Sequence, residues 1–84
     1  MNVQAEISLY PLRTRDPGHA IEEFLGQVKA AGVTVSPGNM SSMISGDVDA
    51  VFSTVGKALK AAARNDSVVL VMKVSNSCPS SDIA

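Results

Sequence analysis

The sequence has no tryptophan, and only one tyrosine and two phenylalanines among its 84 residues. A hydrophobic core in this chain must therefore consist of aliphatic side chains and methionine. A chain of this length forms one domain and buries a modest share of its surface. We predict a single domain over residues 1–76 with a thin core, and a thin core favours association with further copies of the chain.

Positive charge is also scarce. The seven lysines and arginines are scattered, and the formal net charge is −1. Because nucleic-acid binding depends on a concentrated positive surface, we predict no nucleic-acid partner. The longest apolar run, Val68–Met72, is too short to cross a bilayer, and no signal peptide is visible at the N-terminus. These absences predict a cytoplasmic protein that does not associate with membranes.

Cys78 is the only cysteine, so no intrachain disulfide can form, which fits a reducing compartment. No histidine lies beside it to activate the thiol. Cys/His clusters of the kind that bind zinc and glycine-rich phosphate loops are absent as well. We therefore predict no catalytic residue, no metal site and no cofactor. Residues 77–84 are polar and are expected to form a flexible tail.

Hydrophobic periodicity predicts four strands and two helices. Asp16 and Pro17 mark the start of the first helix, and Gly32 is placed to end it in a left-handed conformation. Gly46 and Asp47 are predicted to form a turn and the cap of the second helix. The predicted strands are residues 2–10, 33–36, 40–45 and 67–75. The apolar stripe of the second helix is predicted to contain Val48, Val51, Phe52, Val55, Leu59 and Ala62.

The order β-α-β-β-α-β predicts an α+β fold of the ferredoxin-like type, a four-stranded antiparallel sheet with two helices on one face. The last strand is apolar on both faces over Val68–Met72, whereas a strand with one face in water normally alternates. We therefore predict that another subunit covers the open side of the sheet, in a homo-oligomer that is a dimer or a tetramer. The alternative is that a few valines are simply exposed.

The first strand is central in this fold, and the side opposite its apolar stripe carries Gln4, Glu6, Ser8 and Tyr10. A carboxylate at the centre of a covered sheet is costly unless it is paired. A ligand that offers hydrogen-bond donors would satisfy Glu6, and methionines pack well against flat rings. The alternative is that Glu6 pairs with Lys73 or with a residue across a subunit interface.

The third strand carries three serines where branched apolar residues are usual, and it runs directly into a helix. Small hydroxyls beside a helix start are suited to a small polar ligand. The alternative is an edge strand with soluble side chains.

Several segments of the chain resemble the small thiamine-binding family related to the YkoF proteins. The resemblance covers roughly residues 2–76 and rests on Ala5–Leu12, Met40–Asp47, Asp49–Phe52 and Lys73–Ser75. It implies a non-enzymatic protein that binds thiamine or its hydroxymethylpyrimidine moiety on or near the sheet face of an oligomer. The family often has threonine where this chain has Ser42, and Ser42 keeps the hydroxyl. The family frequently has glutamate where this chain has Ser45, and Ser45 lacks the carboxylate.

The resemblance and the strand pattern together predict five ligand-binding residues, with Glu6 as the main polar anchor. The predicted set is Glu6, Ser8, Ser42, Met43 and Asp47. Two other functions stay open. One is a structural or regulatory oligomer without a ligand. The other is an acylphosphatase-like enzyme with Arg13 and Asn39 at an anion site, although the glycine-rich loop expected around that arginine is missing.

Overall fold

The computed structural model describes residues 1–64 and 66–77, which form one sheet and two helices. The strands lie side by side in the order β2-β3-β1-β4, and each neighbouring pair is antiparallel. This confirms the predicted ferredoxin-like fold with β1 at the centre. Cys78 and all but the first residue of the predicted tail lie outside the described residues. The elements are β1 (Asn2–Pro11), α1 (Pro17–Ala30), β2 (Thr34–Ser36), β3 (Ser42–Asp47), α2 (Val48–Ala62) and β4 (Val68–Ser75).

Side chains of β1 alternate between two faces of the sheet, as the pleat of a strand requires. Val3, Ala5, Ile7 and Leu9 are buried against the helices. The other side of the sheet, which we call the open face, has no helix over it among the described residues. Strand register places the following side chains on it: Gln4, Glu6, Ser8, Tyr10, Thr34, Ser36, Met43, Ser45, Val69, Val71, Lys73 and Ser75.

The first helix begins and ends where the sequence indicates. The carboxylate of Asp16 accepts a hydrogen bond from the backbone N–H of His19 at 3.1 Å, and Pro17 occupies the first helical position. After the helix, Gly32 adopts φ = +89°, a left-handed conformation that a side chain would disfavour. Local signals therefore determine both ends of α1.

The junction between β3 and α2 differs from the predicted turn. Gly46 pairs with Val3 and Asp47 pairs with Asn2, so the strand continues through both residues and passes directly into the helix. The strand also begins later than predicted, because Met40 lies before it and is 91% exposed. Pairing with β1 overrides the turn tendency of the Gly46–Asp47 dipeptide. Asp47 still caps the helix, accepting a hydrogen bond from Asp49 N–H at 3.1 Å.

The buried face of α2 also differs from the predicted apolar stripe. Phe52 is 52% exposed, whereas Val51, Thr54, Val55 and Ala58 are buried. A residue next to Val51 is rotated by about 100° around the helix, so Phe52 lies beside the contact with the sheet. The core is otherwise aliphatic as predicted, with Phe24 as its one fully buried aromatic side chain.

This arrangement can be tested by truncating one core and one exposed side chain. Ile44→Ala should lower the free energy of unfolding by about 2–5 kcal/mol, because Ile44 is 1% exposed and its loss leaves a cavity. The matched variant Phe52→Ala should change it by no more than about 0.5 kcal/mol. Urea unfolding measures both. A comparable loss in the two variants would contradict the orientation of α2.

Candidate functional site

The structure distributes the five predicted ligand-binding residues over three places. Glu6 lies opposite Met43 on the open face, and Ser8 is on the same side of β1. Ser42 lies opposite Ile7, so its side chain is turned towards the helices, where it is 7% exposed. Asp47 is at the far end of β3. The set therefore does not form one cluster on one face.

Glu6 already has two partners. Its Oε2 accepts a hydrogen bond from the Ser41 hydroxyl at 3.1 Å, and its Oε1 lies 3.6 Å from Lys73 Nζ. This ion pair with Lys73 is the alternative to a ligand that the sequence analysis left open for Glu6. The Glu6 side chain is 44% exposed and that of Lys73 is 80% exposed, so the pair contributes only about 0–1 kcal/mol. A ligand that donates a hydrogen bond could replace Lys73 at little cost.

A gap in the sheet lies next to Glu6. Because β3 begins at Ser42, opposite Ile7, the next residues of β1 have no partner on that side. The loop over residues 38–41 lies beside them instead. Gly38 is required in this loop, since a Cβ there would collide with the backbone carbonyl of Ser41. The gap makes side chains from both faces of the sheet accessible from one place.

The gap contains a cavity of about 190 Å³, which we call the serine pocket. Its polar groups come from Ser8, Tyr10, Asn39, Ser41 and Ser42. An apolar wall faces them from α1 and β1. That wall includes Ile7, Leu9, Ile21, Phe24 and Leu25. Hydroxyl and amide groups on one side and apolar side chains on the other are suited to a small flat heterocycle with polar edges.

Two predicted residues, Ser8 and Ser42, line the serine pocket, and Glu6 adjoins it through its hydrogen bond from Ser41. Sequence reasoning missed Ser41 as a pocket residue, and it considered Asn39 only for an anion site. The Pro37–Gly38 turn was the available signal, because it places the residues that follow in a tight loop beside β1 rather than in a strand.

Asp47 has a structural role at the start of α2. Besides capping α2, its Oδ1 lies 3.5 Å from the N-terminal ammonium of Met1. Desolvation raises the pKa of Asp47, but hydrogen bonds from the N–H groups of Asp49 and Ala50 and the charge of the ammonium outweigh it. The pKa therefore lies below the usual value of an aspartate. Asp47 stabilises the start of the helix and does not line the serine pocket.

A second, larger cavity of about 330 Å³ lies at the start of α1 and the end of α2. Its rim carries charges of both signs, including Arg13, Asp16, Glu23 and Asp66. Phe24 lines this cavity as well as the serine pocket. Arg13 and Asn39 line different cavities, so the anion site of the acylphosphatase alternative is not assembled.

Other kinds of site find no support in the described part of the chain. Within residues 1–64 and 66–77, His, Cys, Asp and Glu side chains form no group of three that could hold a metal ion. No helix in these residues is long and apolar enough to cross a membrane.

Comparison with family models decides the membership of the chain. The model of the YKOF-related family matches residues 2–81. The chain belongs to this family. The predicted resemblance is therefore confirmed. No curated protein matches the sequence.

Solved structures share the fold of this YKOF-related chain at low sequence identity. A domain of unknown function, DUF77, from Bacillus cereus is 22% identical, with 88% of this chain and 74% of that chain covered and a TM-score of 0.76. A Thermotoga maritima protein provisionally assigned to thiamine biosynthesis or salvage is 13% identical, with 89% and 83% covered and a TM-score of 0.80. A Streptococcus pneumoniae protein is 18% identical, with 99% and 93% covered and a TM-score of 0.82. These likenesses show the fold.

The structural role of Asp47 predicts a specific pH dependence. Because its pKa is lowered in the folded state, the stability it contributes is present at neutral pH and is lost as pH falls below about 4 through the folded-state pKa. Asp47→Ala should lower the melting temperature at pH 7. Asp47→Asn should lower it less, since asparagine also caps helices. Thermal melts from pH 7 to pH 2.5 should show the three proteins converging in acid; a constant difference would contradict this role.

Proposed function

We propose that this protein is a non-enzymatic, cytoplasmic binding protein for thiamine or its hydroxymethylpyrimidine moiety, and that the serine pocket holds the ligand. The observation that carries the proposal is the pocket itself, a gap beside β1 lined by three serine hydroxyls, the Tyr10 phenol, the Asn39 amide and an apolar wall. Membership in the YKOF-related family supports it, as does the thiamine-related assignment of the Thermotoga maritima neighbour.

The size of the serine pocket favours one ring over two. Cavities that enclose drug-sized ligands usually measure about 300–1,000 Å³, whereas this one measures about 190 Å³. The aminopyrimidine ring would occupy the pocket with its flat faces against Phe24 and Leu25. Its amino group and ring nitrogens would meet hydroxyls that can donate as well as accept. The remainder of thiamine would extend outwards.

Glu6 supplies the charge in this arrangement. The ligand amino group, or a protonated ring nitrogen, would donate to the carboxylate and replace the exposed Lys73 ammonium. A hydrogen bond to an ionised acceptor is stronger than one between neutral groups. Met43, beside Glu6 on the open face, would contact the part of the ligand outside the pocket.

The chemistry of the pocket lining supports binding without catalysis. A serine acts as a nucleophile when a neighbouring base removes its proton. The lining of the serine pocket contains hydroxyls and an amide but no histidine, lysine or carboxylate, and Glu6 adjoins it already paired with Lys73. This composition suits recognition of a ligand.

Ligand binding can be tested by calorimetry and thermal shift with thiamine and with hydroxymethylpyrimidine. Glu6→Gln should weaken binding by roughly tenfold or more, because a hydrogen bond to a charged group is worth about 1.5–3 kcal/mol. Ser42→Ala should weaken it by about two- to tenfold, for a neutral hydrogen bond of about 0.5–1.5 kcal/mol. The control Ser45→Ala lies on the same strand outside the pocket and should leave affinity unchanged.

Two results would contradict this proposal in different ways. No heat and no thermal shift with either compound at millimolar concentration would favour the ligand-free oligomer. A lower melting temperature with unchanged affinity in Glu6→Gln would show that Glu6 is a structural partner of Lys73 and not a ligand anchor.

We further propose that the protein is a homo-oligomer in which the open faces of two copies pack together. Tyr10, Val69 and Val71 form an exposed apolar end of this face, each about half exposed. Burying apolar surface of this kind is the main driving force for association.

Packing through the open face can be tested by the mass of the protein in solution. Tyr10→Lys should shift the mass measured by light scattering at micromolar concentration towards the monomer, because a charge would be placed in the apolar contact. Tyr10→Phe keeps the ring and should keep the mass of the unmodified protein. A monomer mass for the unmodified protein, or an unchanged mass for Tyr10→Lys, would count against this interface.

A further inference from the structure

The space between α1 and the end of α2 has no part in the function proposed above. It measures about 330 Å³, and we call it the helix-end cavity. Alanines line it from both helices, Ala20 on α1 and Ala58, Ala61 and Ala62 on α2, and their small side chains leave the space open. Phe24 forms part of its apolar wall. The volume reaches the range of about 300–1,000 Å³ that is usual for ligand sites.

Asp66 contributes a carboxylate to the lining of the helix-end cavity. Its Oδ1 accepts hydrogen bonds from the backbone N–H groups of Arg13 at 3.1 Å and Ser67 at 2.8 Å. Its Oδ2 is buried and has no hydrogen-bond partner among residues 1–64 and 66–77. A buried polar atom without a partner is uncommon in proteins and requires an explanation. Because Oδ2 is shielded from water, its charge is weakly screened and attracts a cation in the cavity.

Arg13 supplies the opposite charge at the same cavity. The hydrogen bond to Asp66 keeps the backbone of Arg13 beside that carboxylate. Within the described part of the chain, the guanidinium of Arg13 forms no ion pair. A guanidinium offers five N–H donors in a planar fork that matches the two oxygens of a carboxylate. Arg13 is therefore available to bind an acidic group.

The other charged side chains of the cavity have partners. Asp16 accepts the hydrogen bond from His19 N–H that caps α1, and Glu23 Oε2 lies 3.6 Å from His19 Nε2. Among the described residues that line the cavity, the guanidinium of Arg13 and the Oδ2 of Asp66 thus remain to be matched. The C-terminal end of α2 adds partial negative charge on this side of the molecule. A ligand that carries both an acidic and a basic group would match these charges.

We propose that the helix-end cavity binds a free α-amino acid with an apolar side chain. The carboxylate of the ligand pairs with Arg13, the ammonium compensates the charge of Asp66, and the side chain packs against Phe24 and the alanines. An α-amino acid carries both charged groups on one carbon, which fits two protein residues joined by a backbone hydrogen bond. Burial of the apolar side chain supplies the remaining affinity.

Calorimetry on the whole chain tests this proposal with leucine, methionine and phenylalanine as probes at up to millimolar concentration. Each probe that binds is compared with the matching amine, which lacks the carboxylate, and the matching acid, which lacks the ammonium. For leucine these are isoamylamine and isocaproate. The amino acid should bind at least tenfold more tightly than either analogue, because each analogue leaves one protein charge unmatched.

Variants of the two charged residues separate the two ends of the ligand. Arg13→Met keeps a long side chain and the backbone N–H that donates to Asp66. It should weaken amino-acid binding tenfold or more and abolish the preference for the amino acid over the amine. The matched control Arg15→Met changes an arginine of the same loop that does not line the cavity, and it should leave affinity unchanged. Asp66→Asn keeps an oxygen for both backbone hydrogen bonds and should abolish the preference over the acid.

Three results would overturn the proposal. They are no binding of any of the three amino acids at millimolar concentration, equal affinity for an amino acid and one of its analogues, and equal losses in Arg13→Met and Arg15→Met. Thermal melts show whether each variant is folded, and the comparison of analogues on the unmodified protein decides the matter if a variant is not.

The proposal stands apart from thiamine binding in the serine pocket. Ser42→Ala should leave amino-acid affinity unchanged, whereas a loss in this variant would place the amino acid in the serine pocket and overturn the assignment to the helix-end cavity. Failure of amino-acid binding would leave the thiamine proposal untouched, and the reverse also holds.

Discussion

The point at which β3 stops pairing with β1 determines the candidate site. Pairing ends at Ile7 and Ser42, and the rest of β1 extends past the sheet on that side. The loop before β3 fills the space only in part, and Gly38 lets it turn close to Ser41. The serine pocket, its access to both faces of the sheet and its connection to Glu6 all follow from this early end of a strand pair.

The fold could be predicted from the sequence because its signals are local. Strict alternation along β1, the Asp16–Pro17 helix start and the left-handed Gly32 each determine one feature of the backbone without reference to distant residues. The predictions that were wrong concern distant contacts. Gly46 and Asp47 have the composition of a turn, but pairing with Val3 and Asn2 keeps them in the strand. Val51 and Phe52 were both predicted to be buried, but only Val51 is, and Phe52 is half exposed.

The candidate site was harder to predict because it depends on strand register. Side chains alternate with a period of two, so a shift of one residue between β1 and β3 would move Ser42 from the helix side to the open face. Sequence pattern placed Ser42 on a strand but could not say which residue of β1 it would face. Ser8 could be placed in the right region because its strand is long and regular. Ser41 and Asn39 belong to a loop whose path depends on Gly38.

Phe24 lies between the serine pocket and the larger cavity at the helix ends, and its ring forms part of both walls. The two cavities are therefore adjacent and share one wall, which the Phe24 side chain forms. The ring is 2% exposed, so the same buried side chain limits the size of both cavities. A smaller residue at position 24 would remove part of this shared wall and join the two cavities into one.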